Sequence, residues 1–156
     1  MRWLHRLTTT QASAAVVLIR LMVGLVFLSE GIQKFVYPDE IGVGRFAKIG
    51  LPEPEFLAYF VASFEIACGI LIVLGLLTRL AVVPTITIML VAIASTKVPI
   101  LMEKGFWPMA HEARTDFSML LGSIYLLIVG AGRWSVDQKL SGNAGPMQER
   151  QRATRD

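Results

Sequence analysis

Four runs of largely apolar residues, at 15–36, 57–77, 80–100 and 117–132, constrain this 156-residue chain more than anything else in it. A helix needs roughly 20 mostly apolar residues to cross the hydrocarbon core of a bilayer. The first three runs reach that length, and the fourth is extended to the interfaces by Asp116 and Arg133. Inside lipid every backbone N–H and C=O must find its partner within the segment, which leaves the helix as the form each run can take. More than half of all residues are apolar. A soluble domain of this size has no interior large enough to hide them. The expected fold is all-α, an integral membrane four-helix antiparallel bundle.

The connections fix how the helices are arranged. The turn at 75–79 is short, so runs two and three must form an antiparallel hairpin. Residues 37–56 carry Pro38, Gly42, Gly44, Gly50, Pro52 and Pro54, which break a long helix. Within them Ile41, Phe46, Ile49 and Leu51 predict a short amphipathic element on the membrane surface. Residues 101–115 read as a loop, with Phe106, Trp107 and Pro108 as an interfacial anchor. The chain thus divides into an N-terminal segment at 1–14, a four-helix domain at 15–137 and a polar tail at 138–156 that is expected to be mobile. Ala12-Ser13-Ala14 precedes the first apolar run instead of following it, so the N-terminus does not read as a cleaved signal peptide.

With four crossings, both termini and the 75–79 turn share a side. That side holds Arg2, Arg6, Arg79, Arg133, Lys139, Arg150, Arg152 and Arg155. The opposite side dilutes Arg45, Lys48, Lys104 and Arg114 with six acidic residues. The excess of basic residues places both termini in the cytoplasm of a bacterial inner membrane. Net charge is +3, but no basic stripe is interleaved with aromatics, so nucleic acid is not an expected partner.

Ionisable residues inside the spans cost roughly 2.5–3.5 kcal/mol each at the bilayer centre. This chain retains Arg20, Glu30 and Lys34 in the first span, Glu65 in the second, Lys97 near the end of the third and Asp116 at the start of the fourth. At a rise of about 1.5 Å per residue, Lys34 lies roughly 3 Å below the outer end of its helix, Glu30 roughly 9 Å and Glu65 roughly 12 Å. His111, Glu112 and Arg114 lie just above them. A charge-paired polar pocket in the outer half is the economical arrangement. Arg20, Gly24, Phe27, Gly31 and Lys34 fall on one helical face, and Ala58, Ala62, Glu65, Cys68, Gly69 and Ile72 fall on another. Both mix charges with small residues and predict packing faces. Glu30 precedes Lys34 by one turn, which allows a pair. Plainer readings stand beside these: Arg20, Lys34, Lys97 and Asp116 are near enough to span ends to snorkel. Asp116 also suits a helix N-terminus, His111 an interfacial loop, and Glu65 a structural pair.

The single cysteine, Cys68, excludes an intrachain disulfide, a CxxC dithiol and a thiolate zinc site, and it reads as a small buried apolar side chain. No metal site is expected. The two histidines, His5 and His111, are not mid-span, so axial haem ligation within the spans has no candidate. A quinone remains a candidate ligand, since it needs only an apolar cleft and a few polar groups.

Three ordered motifs carry a resemblance. Arg20-x3-Gly24-x2-Phe27-x3-Gly31-x2-Lys34 resembles the first span of DoxX-family membrane proteins. Glu65-x3-Gly69-x-Leu71-x3-Gly75-x2-Thr78-Arg79 resembles their second span and turn, and Gly130-Ala131-Gly132-Arg133-Trp134-Ser135-x-Asp137 their closing motif. The stretch 109–121 is similar to one branch of the family. The resemblance covers roughly residues 15–140. It implies a four-helix membrane bundle and a link to sulfur and quinone redox, because the relative DoxD is the membrane subunit of a thiosulfate:quinone oxidoreductase. It also implies a soluble redox or sulfurtransferase partner, and Arg20, Gly24, Gly31, Lys34, Glu65, Gly69, Arg79, Gly132, Arg133 and Asp137 as recurring positions. The expected function is a membrane subunit of a quinone- or sulfur-linked redox system. A small-molecule transporter, which would need a homo-oligomer, and a scaffold that recruits soluble enzymes are the alternatives.

Overall fold

The computed structural model describes residues 14–142, whose regular secondary structure is all helical, with no strand among them. The helices are α1 (Val16–Val36), α2 (Val43–Lys48), α3 (Pro54–Leu74), α4 (Thr78–Ala92), α5 (Val98–Lys104), α6 (Phe106–Val129) and α7 (Val136–Gly142). A π-helical turn, Ile93–Lys97, joins α4 to α5 without a break.

Among the described residues three helices are long and apolar enough to cross a membrane: α1, α3 and the continuous stretch Thr78–Lys104. The fourth long helix, α6, has 24 residues. Its first half carries His111, Glu112, Arg114 and Asp116, which keeps it out of that class. α1 lies antiparallel on α3, α4 lies antiparallel on α6, and α3 and α4 form the expected hairpin. The core is a narrow seam of Val16, Val23, Phe27, Cys68, Ile72, Ala81, Val82, Met119 and Leu126. Around it Leu18, Leu25, Phe60, Leu80, Ile128 and many other large apolar side chains face outward. That is the distribution a chain adopts when lipid is its solvent.

The tightest packing is between α1 and α3. A Cβ added at Gly69 would stand 2.8 Å from the Gly24 carbonyl oxygen and 2.8 Å from the Leu28 nitrogen, and one at Gly31 would stand 2.8 Å from the Ala62 oxygen. Small residues therefore let the two backbones touch. The buried positions of α3 are Ala58, Ala62, Glu65, Cys68, Gly69 and Ile72, the face expected from its periodicity. Those of α1 include Arg20, Gly24, Phe27, Gly31 and Lys34.

Several boundaries differ from the sequence reading. Residues 106–115 are helix, not loop. Pro108 occupies the first turn of α6, where no backbone N–H is required, and Met109, Ala110, Glu112, Ala113 and Arg114 favour helix. Only Gly105, at φ 84°, interrupts the chain between α5 and α6. The turn between α3 and α4 narrows to residues 75–77. The amphipathic element is α2, held by buried Phe46. Past Asp137 the chain stays helical to Gly142 as part of α7, so the polar segment that follows the bundle starts as helix. The N-terminal segment at 1–13, with its expected lack of a cleaved signal, and the part of the expected mobile tail at 143–156 lie outside the described residues.

The π-turn has a local cause. Pro99 offers no N–H and its ring crowds the carbonyl four residues back, so the helix widens before it. Ser95 Oγ and Thr96 Oγ1 donate to the Ala92 carbonyl at 3.4 and 2.6 Å, and Ser95 Oγ also to Val91 at 2.8 Å. Lys97 ends the turn and is buried.

Candidate functional site: a buried ion pair and a backbone clasp

The buried charges fall into two groups at different levels of the molecule. Toward the end that carries the 37–53 connection, Lys34 Nζ donates to Glu65 Oε2 at 2.7 Å. Both side chains are more than nine-tenths buried. Glu30, one turn earlier on α1, has an oxygen 3.8 Å from the same ammonium, and its side chain is 45% exposed. Lys34 Nζ also donates to the Glu30 carbonyl at 3.4 Å. Glu65 reaches Lys34 because Gly31 faces its Cβ, leaving room between the helices. A second pair, Lys97 to Asp116 at 3.0 Å, ties the π-turn to α6. Thr85 Oγ1 donates to Ser123 Oγ at 3.3 Å in the same helix pair, nearer the turn.

At the other end Arg20 is buried, about 21 Å along α1 from Lys34 at the helical rise. Its Nη1 donates to the carbonyls of Ala131 at 2.8 Å and Trp134 at 2.7 Å, and its Nη2 to Val73 at 3.1 Å. Asp137, also buried, accepts from the backbone N–H of Leu77 at 2.7 Å and of Thr78 at 3.1 Å. These amides open α4, so a carboxylate from another part of the chain caps the positive end of that helix. The Asp137 N–H donates to the Gly75 carbonyl at 2.9 Å. α3 ends in a Schellman turn, with Leu76 N–H to Leu71 O at 2.9 Å and Gly75 N–H to Ile72 O at 3.1 Å. Gly75 has φ 68°, and a Cβ there would meet Arg20 Nη1 and Ser135 Cβ at 2.6 Å. Ser135 Oγ accepts from Gln138 N–H at 3.2 Å and so caps α7. Arg79 donates to the Ile128 carbonyl at 3.0 Å.

Of the expected site residues, the structure brings together Glu30, Lys34 and Glu65 as one cluster, and Lys97 with Asp116 as a second. His111 and Arg114 contact each other on the exposed face of α6, at 2.8 and 3.1 Å between Arg114 Nη1 and the ring nitrogens, and Glu112 is exposed beside them. None of those three is a hydrogen-bond or ion-pair partner of Lys34 or Glu65. Arg20 departs from the pocket altogether and belongs to the clasp. The sequence reading missed that Arg20, Gly75, Thr78 and Asp137 converge. The signal was that all four belong to the three ordered motifs. Arg133 is exposed, Gly132 is buried and its carbonyl accepts from Ser135 Oγ at 2.7 Å.

Apolar helices clothed in outward aliphatic side chains, with charges paired across their interior, define a small helical membrane protein. The comparisons with known proteins agree. The profile of the DoxX family matches residues 15–98. The membrane protein Rv3486 of Mycobacterium tuberculosis is 54% identical over 145 residues, 89% of each chain. CatD of Bacillus subtilis, named as a proposed oxidoreductase, is 32% identical over 120 residues, 77% of this chain and 82% of that one. The chain belongs to the DoxX family. No solved structure matches it significantly.

Proposed function

We propose that this DoxX protein is the membrane subunit of a quinone- or sulfur-linked redox system, and that its ligand site is built around Lys34 and Glu65. The observation that carries the reading is the pair itself: two oppositely charged side chains, more than nine-tenths buried, joined to each other at 2.7 Å, the shortest contact either one makes. Intramembrane charges retained at such cost mark ligand or proton sites by default. Likeness to CatD adds the redox direction.

In this reading α1, α3, Thr78–Lys104 and α6 all cross the inner membrane as a four-helix bundle, with both termini in the cytoplasm and the pair in the outer half. The Lys34 ammonium draws an anionic donor or the carbonyl oxygen of a quinone. Glu65 exchanges protons with the bound quinone, and half-exposed Glu30 connects that exchange to the surface. Two thiosulfate anions joining through a new S–S bond release two electrons, and a quinone takes up those electrons with two protons to become the quinol. The lone Cys68 cannot itself form a dithiol couple, so electrons enter through a soluble redox or sulfurtransferase partner or a second copy of the chain.

The full chain, crosslinked and purified from native membranes with its partners, is to be assayed for thiosulfate-dependent reduction of a short-chain quinone. Glu65→Gln is expected to lower the rate at least tenfold while the protein remains in the membrane. Equal rates for wild type and Glu65→Gln, or no reduction with partners bound, would overturn the reading.

A further inference from the structure

A shallow groove of about 490 Å³ runs along the outward face of α3, away from the Lys34–Glu65 pair. It is lined by Glu53, Glu55, Phe56, Tyr59, Phe60, Ser63 and Phe64. Phe56, Phe60 and Phe64 form a ladder, with ring centroids 5.7 and 4.8 Å apart. Tyr59 stacks on Phe35 of α1 at 5.3 Å, which fixes one wall. The three ladder rings are exposed in the single chain. At the mouth stand two carboxylates, Glu53 and Glu55, both exposed and neither in an ion pair among the described residues. Glu53 is held at φ 45°, immediately before Pro54, in a conformation that L-residues other than Asn and Asp rarely adopt.

We propose that this groove binds a lipophilic organic cation, of the quaternary ammonium or phosphonium class. Aromatic faces carry negative potential and attract a cation placed over them. Carboxylates beside an apolar wall attract the same charge, more strongly than in open water because the wall lowers the local dielectric. A neutral lipid chain would use the ladder and leave the two carboxylates without purpose. An anion would be repelled by them. The volume falls in the range of ~300–1,000 Å³ that small-molecule sites occupy. The ladder extends about 12 Å along the helix from Phe56 to Phe64, so an organic cation at the carboxylates can lay an apolar substituent along the rings. The groove shares no residue with the redox site proposed above, and the two stand or fall separately.

The test is equilibrium binding of radiolabelled tetraphenylphosphonium to the full chain in detergent micelles, with unlabelled compound as competitor. Saturable binding near one per chain is expected, weakened at least tenfold in the E53Q/E55Q double variant and several-fold in Phe60→Leu. The substituted side chains are exposed, so thermal midpoints should stay within a few degrees of wild type. Glu65→Gln should bind as wild type does. Non-saturable uptake equal in wild type and E53Q/E55Q would mean that detergent or lipid alone fills the groove and would overturn the proposal. So would absence of binding in a protein that runs as a dimer and is made monomeric by Phe60→Ala, because a second copy would then cover the ladder.

Discussion

At one end of the molecule Arg20 gives its guanidinium hydrogens to three backbone carbonyls, whereas at the other the short hydrogen bond of Lys34, 2.7 Å, goes to a side chain, Glu65, and only a long one, 3.4 Å, to the Glu30 carbonyl. Both cations are buried, and both sit on the same face of α1. The difference lies in what each partner is attached to. The carbonyls of Val73, Ala131 and Trp134 belong to the end of α3 and to the connection after α6, so Arg20 fastens three parts of the chain that are far apart in sequence. Asp137 completes the fastening by capping α4. None of those acceptors can turn away without moving backbone. Glu65 is a side chain with rotamers of its own, and half-exposed Glu30 stands ready as a second partner. A charge held by backbone is a structural rivet. A charge held by a side chain can change partners, which is what ligand binding requires.

Variants can break this comparison, beginning with the largest effect. Arg20→Met should strip the clasp of its cation and leave three carbonyls and Asp137 without it. Losing one member of a buried charge arrangement costs about 3–5 kcal/mol. The variant should accumulate poorly, and whatever is purified should unfold well below wild type when thermal unfolding is followed in detergent. A midpoint within two degrees of wild type would show that Arg20 is not a rivet.

At the other end the expectation is asymmetric. Glu65→Gln leaves Lys34 beside Glu30 and should cost less than Arg20→Met, about 2 kcal/mol, because a substitute partner is at hand. The double variant Lys34→Met with Glu65→Met should recover most of that loss, since well-packed apolar residues replace a buried pair at little cost or with gain. Recovered stability with abolished quinone reduction would separate the pair's function from the fold. A double variant as unstable as Arg20→Met would make both ends structural and end the contrast.

Gly69→Ala probes the seam between them. Its Cβ would meet the Gly24 oxygen and the Leu28 nitrogen at 2.8 Å, both backbone atoms that cannot swing aside. The helices must separate, at about 1–3 kcal/mol for overpacking. Because the same crossing sets how far Glu65 stands from Lys34, the thermal midpoint and the quinone-reduction rate should fall together.

Much of this was legible in the residues alone. The inward faces of α1 and α3 follow from helical period, since a face that mixes glycine with charge has no stable place in lipid. The Glu30–Lys34 pair follows from one-turn spacing. The Arg20 clasp was not legible, because its acceptors are backbone carbonyls, and every residue type carries one. Nor was the helical character of 106–115, where Pro108 reads with Phe106 and Trp107 as a loop anchor and stands instead in the first turn of α6. Periodicity shows which way a side chain faces, but it does not say how far along another helix its partner lies. The Lys97–Asp116 pair needed that missing information, because the π-turn alters the phase of everything after Ile93.

That pair supplies the smallest and most discriminating test. Lys97 Nζ lies 3.0 Å from Asp116, whose side chain is 23% exposed. Water or headgroups therefore screen the carboxylate, and removing the lysine strands a partly solvated charge instead of a buried one. Lys97→Met should cost about 1 kcal/mol, near the upper end for solvent-exposed pairs. For a chain of this length that is a drop of roughly 2–4 °C in the thermal midpoint. If the drop instead approaches that of Arg20→Met, the π-turn would be a third anchoring point, and the loop end of the molecule would be as rigid as the clasp. A small drop leaves α6 free to shift against the π-turn, at the same end of the molecule as the Lys34–Glu65 pair.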